Sequence, residues 1–248
     1  MHRIQAAIEK VFRAQLAAAR VSVLHKAADD DEVQAFVDAI IAAIENEWLN
    51  LPLEVQPGLE SAMRSGIGHG FLQIEFSHEG LIAAANTVAE DYARDRAAEL
   101  IGMTRDVEGN LIPNPDARWV ISNTSREKIR EIVSEAFTQE TPLPEIKAAI
   151  QEALASEAEG NGIFSSARAQ MIARTEVSTA QAGGNFWTWV QSGVVKKVKW
   201  LVSNLEPCPV CLGNENQEVT LGEFFRSGID RPPQHPNCAC VLVVTETT

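Results

Sequence analysis

No cysteine occurs in the first 207 residues of this 248-residue chain; all four, Cys208, Cys211, Cys238 and Cys240, crowd near its end. That distribution excludes a disulfide framework spread through a protein of this size, and in a reducing compartment such clustering points to a metal. Also missing is any run approaching the roughly 18 apolar residues that a membrane-crossing helix needs. The opening MHRIQAAIEKVFRAQ lacks the apolar core of a signal peptide, so synthesis and residence in a cytoplasm is the expectation. Positive charge is scarce: 21 Lys and Arg against 34 Asp and Glu leave a formal charge of -13. A protein whose whole surface coats nucleic acid is thereby excluded, because such binding relies on cations that neutralise phosphates. Catalytic signatures are missing too. H-E-x-x-H and G-x-S-x-G do not occur, and the His-x-Glu half of the zinc-deaminase signature is absent, since His69 is followed two residues on by Phe71 and His78 by Gly80. Gly66, Gly68 and Gly70 in SGIGHGF lack the preceding strand and the spacing of a dinucleotide loop, and read as small residues that let helices approach closely.

What is present is a chain with 45% hydrophobic residues, enough to bury one large core or two modest ones. Its charge is uneven: from Phe164 onward seven basic and seven acidic side chains cancel, so the acidic excess lies in residues 1–163. Ile4, Ile8, Phe12, Leu16, Ala19 and Val23 recur at helical spacing. After the acidic run Asp29–Glu32, the residues Val33, Phe36, Val37, Ile40, Ile41, Ile44 and Trp48 do the same, predicting a second helix that ends near a loop at Pro52–Pro57. Helical composition continues from Gly58 to about Met103, with a break near Ser77, a candidate cap for a segment starting at His78. Residues 104–118, rich in turn formers, read as the surface connection between two halves. Thr124 and Glu127 form a capping-box pattern that would open a helix to about Thr138, and Pro144 suits the first turn of the next. Ser165 or Ser166 would cap a longer helix with Met171, Ile172, Thr175, Thr179, Ala182, Phe186, Trp189 and Val190 as its core face. Gly183 and Gly184 mark a bend or a close crossing within it.

The periodicity then changes from helical to alternating. Val194, Val198, Trp200 and Val202 face one way and Lys197 and Lys199 the other, as in a half-buried strand, with Val241–Val244 as its partner. Between these strands lie the C-x-x-C of Cys208 and Cys211 and the run His235-Pro236-Asn237-Cys238-Ala239-Cys240. Zinc favours four thiolate or imidazole ligands in a tetrahedron, commonly as two chelating pairs separated by a loop. Five candidates compete for four positions. Cys208, Cys211, His235 and Cys238 are the preferred set, and Cys240 is the rival to either member of the second pair. The intervening LGNENQEVTLGEFFRSGIDRPPQ has little to bury, and a structural zinc, contributing about 10–16 kcal/mol in finger peptides, would order it. The predicted class is α+β: a mostly helical, acidic region over residues 1–115, then a small zinc-stapled module over residues 116–248 with a short β-sheet and its knuckle at 207–240.

Ala173-Arg174-Thr175-Glu176 on a helix, a strand with Lys199-Trp200, the C-x-x-C knuckle and the final Pro233-Gln234-His235-Pro236-Asn237-Cys238-Ala239-Cys240 follow one another in an order that resembles the C-terminal domain of the Mu F-like family of phage minor head proteins. The resemblance covers roughly residues 120–248. Two departures are visible: Asn204 or Glu206 stands where the family often has an acidic residue before the knuckle, and Ala239 where it often has arginine. The resemblance implies a low-copy, non-catalytic virion protein of the capsid interior at the portal vertex, assembled in the host cytoplasm. It implies the portal protein as partner, with scaffold, major capsid protein and packaged DNA as further contacts and no membrane. Amphipathic helices within residues 1–50 can dock on portal or scaffold, or can form the protein's own bundle core. The competing functional readings are a zinc-dependent nuclease and a zinc-knuckle DNA-binding protein, both suggested by Lys196, Lys197 and Lys199 beside the cysteines. Glu176, bordering the apolar face of its helix, reads as a paired buried carboxylate supporting the zinc module rather than a general base.

Overall fold

A computed structural model describes residues 1–25, 33–74, 79–137, 143–202 and 207–248. Ser77 with its proposed cap, the acidic run Asp29–Glu32, and Asn204 and Glu206 lie outside the described residues. The rest form helices α1 (His2–His25), α2 (Val33–Trp48), α3 (Leu51–Ile74), α4 (Glu79–Glu99), α5 (Ile121–Phe137), α6 (Leu143–Ser156), α7 (Ser166–Ser192) and α8 (Pro209–Asn214). The strands are β1 (Met103–Arg105), β2 (Leu111–Pro113), β3 (Val195–Leu201), β4 (Glu218–Thr220) and β5 (Val241–Thr247). The predicted α+β class holds: the chain is mostly helical with a small antiparallel sheet near its end. Among the described residues no helix is long and apolar enough to cross a membrane. The chain divides into two compact units, one comprising His2–Gln56 with Arg94–Gln170, the other Pro57–Ala93 with Met171–Thr248 and Met1.

In the first unit α1 packs on α2 and α6, and α5 packs on the same two helices. The stripe foreseen on α1 is its core: Ile4, Ile8, Phe12 and Ala19 are buried, as are Ile40, Ile44 and Trp48 of α2. Of the two uses open to that stripe, the chain's own bundle takes it. Phe12 meets Trp48 and Phe164 edge-on, with ring centroids 6.0 and 6.1 Å away. On its remaining side stands the Arg168 guanidinium, 5.2 Å from the ring centroid. Arg168 donates to Ser125 Oγ, the Ile163 carbonyl and the Ile121 carbonyl at 3.0, 2.6 and 2.8 Å. Burial pushes this cation down to about 10, still fully charged at neutral pH.

Several predicted boundaries shift. Pro52–Pro57 is not a loop: Pro52 lies in the first turn of α3, where a missing N–H costs nothing, and Pro57 is accommodated inside the helix. Helix α5 begins at Ile121, three residues before the expected cap, because Trp119 takes a φ of +55° and the Ile121 N–H donates to the Leu100 carbonyl at 3.0 Å. Thr124 is therefore inside the helix. The stretch 104–118 is more than a connection, since β1 and β2 pair antiparallel with Thr104 opposite Ile112. Its turn is organised by the Asp106 carboxylate, which accepts the Asn110 and Glu108 N–H groups at 2.8 and 3.1 Å. The Ser165 cap and Pro144 in the first turn of α6 stand as expected.

In the second unit α3 and α7 cross at glycines. A Cβ on Gly66 would overlap the Gln181 carbonyl, and one on Gly184 would overlap the Met63 carbonyl and lie 2.6 Å from Ile67 N. Gly70 similarly abuts Thr188, whereas Gly68 meets nothing. This is the close approach that the SGIGHGF run and Gly183-Gly184 suggested. The buried face of α7 matches the one foreseen in part: Ile172, Thr175 and Trp189 are buried as expected, Ala173, Glu176, Ala180 and Thr188 join them, and Met171 and Val190 are exposed. Where α7 crosses α3 the contact is made by small residues, because the approach at Gly66 and Gly184 leaves no room for a larger side chain. Beyond α7 the sheet has the order β4-β3-β5. Trp200 lies opposite Leu242, and a bulge around Lys197 lets both Val195 and Val198 turn inward.

Candidate metal centre

The C-x-x-C knuckle opens α8. Cys208 is its cap residue, with φ -69° and ψ 159°, and Pro209 occupies the first turn. The Cys208 sulfur accepts the Cys211 N–H at 3.4 Å, so the local helix start places both sulfurs on one side of the turn. The second half comes from the loop between β4 and β5. There Cys238 N–H donates to the His235 carbonyl at 3.2 Å, closing a tight turn through Asn237, which has a φ of +63°.

All five predicted donors are brought together. His235 Nε2 lies 3.2 Å from Cys208 Sγ and 3.3 Å from Cys211 Sγ. Cys211 Sγ and Cys238 Sγ are 3.7 Å apart, and none of the four cysteines is in a disulfide. Two triplets result, Cys208 with Cys211 and His235, and Cys211 with Cys238 and Cys240; within each, the donor atoms lie within 4.8 Å of one another. Cys211 belongs to both. The arrangement could bind a metal ion.

His235 is oriented for that task. Its Nδ1 is 2.8 Å from the Pro236 carbonyl, which fixes Nδ1 as the donor and leaves the Nε2 lone pair facing the two thiols. The surroundings are apolar. Cys211, Cys238 and Cys240 belong to a buried cluster with Trp189, Val195, Val198, Trp200, Phe225 and Leu242. Phe225 reaches in from the segment between the pairs, which was expected to have little to bury, and packs edge-on against Trp200 at 5.1 Å. Electrostatics differ between the sulfurs. The Cys211 backbone N–H, then its side chain, the Val210 N–H and the His235 ring hold the half-buried Cys208 thiol below its usual range. Burial, then the neighbouring thiols, pushes Cys211 far up. A divalent cation reverses that penalty by taking thiolates directly.

Sequence reasoning missed what holds the hook in place. The Asn237 N–H donates to Thr175 Oγ1 at 2.8 Å, and Arg174 Nη1 donates to Asn237 Oδ1 at 3.1 Å. An asparagine inside a short loop between two ligands was the available signal, since asparagine tolerates positive φ. Glu176, read as a supporting carboxylate, is buried and partnered. Of the three lysines, Lys197 is paired with carboxylates, 3.5 Å from Glu218 and 3.1 Å from Glu246. No protein-family model matches the chain, and neither the curated proteins nor the solved structures contain a match to it.

Proposed function

We propose that this chain is a structural and interaction protein of a bacteriophage head, stapled near its end by one zinc ion and performing no turnover. The observation that carries the reading is the junction of Arg174 and Thr175 with Asn237. The two sequence pieces on which the resemblance to Mu F-like minor head proteins rests most specifically lie about sixty residues apart, yet they are bonded to each other.

Zinc suits the donor set. Tetrahedral zinc with bonds of about 2.3 Å to sulfur and 2.0–2.1 Å to nitrogen separates its donors by roughly 3.8 Å for two sulfurs and 3.5 Å for a sulfur and a nitrogen. The contacts of 3.7, 3.2 and 3.3 Å are close to those edges. Cys208, Cys211 and His235 with Cys238 or Cys240 would hold the ion, which supplies cross-linking rather than chemistry. Five donors leave no open position for the water that a catalytic zinc activates. The pairing of Lys197 with two glutamates weakens the case for a DNA-binding strand.

In this reading the protein works inside the capsid at the portal vertex, after assembly in the host cytoplasm, with portal as its partner and scaffold or major capsid protein nearby. Co-expression with a portal protein and affinity purification of the complex tests it directly; retention of the full chain on portal is expected, and its absence overturns the proposal. Incubation with DNA addresses the rivals. Cleavage abolished by His235→Ala would establish a nuclease, and a salt-sensitive mobility shift without cleavage a DNA-binding module.

A further inference from the structure

Helix α7 grips the metal hook through bonds that clustering of the donors alone does not require. Asn237 sits between His235 and Cys238 in the chain, so whatever fixes Asn237 fixes the direction from which both donors approach. Its main chain and its side chain are both held, the N–H by Thr175 Oγ1 and the Oδ1 by Arg174 Nη1. The Thr175 hydroxyl donates its own proton to the Met171 carbonyl at 2.8 Å, one turn back along the helix. That leaves an oxygen lone pair aimed at the hook. Thr175 is 3% exposed, so no water substitutes for this acceptor without rearrangement. Ala173, on the same turn, is fully buried. Further along α7 the same loop is held again, with the Arg231 guanidinium 4.5 Å from the centroid of the Phe186 ring.

We infer that Arg174 and Thr175 are positioning residues for the metal centre, holding the His235–Cys238 half of the donor set in its binding geometry before the ion arrives. The inference rests on the cluster being a metal site, and it gives the Ala173-Arg174-Thr175 run a role that involves no contact with the ion. A hook that had to be ordered by the metal would lose affinity to the entropy of fixing its backbone. One already tied to a rigid helix does not. Partners that orient metal ligands without touching the metal typically account for about 10- to 100-fold in affinity.

The test is zinc competition against a chromogenic chelator with the full chain, together with the rate of zinc release and the melting temperature of the metal-free protein. Thr175→Val keeps the shape and removes the acceptor; about 10- to 100-fold weaker binding and faster release are expected. Thr175→Ser restores the oxygen and should return affinity to within about threefold of the starting protein. Arg174→Leu, at an exposed position, should weaken zinc by a smaller factor, and the metal-free melting temperature shows separately whether the chain still folds. If Thr175→Val and Arg174→Leu bind and release zinc like the unaltered protein, the positioning role is overturned. Cys211→Ser separates this from failure of the metal reading itself: if the unaltered chain binds zinc no better than Cys211→Ser, there is no metal centre and the inference falls with it.

Discussion

Arg168 shows how a single side chain can be structural and ionic at once. Two of its three acceptors, Ser125 Oγ and the Ile121 carbonyl, belong to α5, more than forty residues away, and the third, the Ile163 carbonyl, to the turn just before α7. Arg168→Met would fill much of the volume but leave those acceptors without a donor, and a loss of about 3 kcal/mol in urea unfolding is expected. Arg168→Lys should recover only part of it, because one ammonium cannot reproduce the planar fork. None of this was legible in the sequence, where Arg168 is one more polar residue near a helix start. The candidate metal donors are the opposite case: thiol and imidazole chemistry is rare enough that spacing alone picked out the five side chains the structure brings together. Spacing could not rank them. Cys211 belongs to both triplets and Cys240 to one. Cys211→Ser is therefore expected to lower zinc affinity by more than about 100-fold and Cys240→Ser by less than about tenfold, read by chelator competition.

At the level of elements, the crossing of α3 and α7 is the most demanding contact in its unit. A valine at Gly184 would drive its side chain into the Met63 carbonyl, a backbone atom that cannot step aside cheaply. Gly184→Val is expected to cost about 3 kcal/mol or to yield insoluble protein, whereas Gly68→Ala, with open space around it, should leave thermal melting unchanged. The glycine runs announced this crossing, and the alternation in Val194–Val202 announced β3. Periodicity was less informative where another force set the outcome. At its crossing with α3 the α7 face follows small residues, and the turn formers of 104–118 organise a hairpin because Asp106 supplies acceptors to its own turn. Prolines misled because a helix tolerates them in its first turns.

For the whole molecule, the burial of Ile4, Ile8 and Phe12 changes how the proposed interaction with portal has to be tested. Deleting residues 1–28 removes core from one compact unit, and Phe12→Ala alone is expected to cost about 3–5 kcal/mol, measured by chemical denaturation. Loss of portal binding after such a deletion would report unfolding, so the contact surface is better mapped with substitutions at exposed positions. Helical content, the two-part acidic and neutral charge pattern, and the terminal sheet were all readable from composition and spacing. The division into units was not, because each assembles segments distant in sequence.

The surplus of sulfur over coordination positions carries a last consequence. An oxidant that converts Cys240 or Cys238 to a sulfinate leaves the other within reach of Cys211, so a one-hit lesion there need not abolish the candidate metal site. The same damage at the sulfur common to both triplets has no understudy. Tolerance to the loss of a single sulfur is thus unevenly distributed over the cluster.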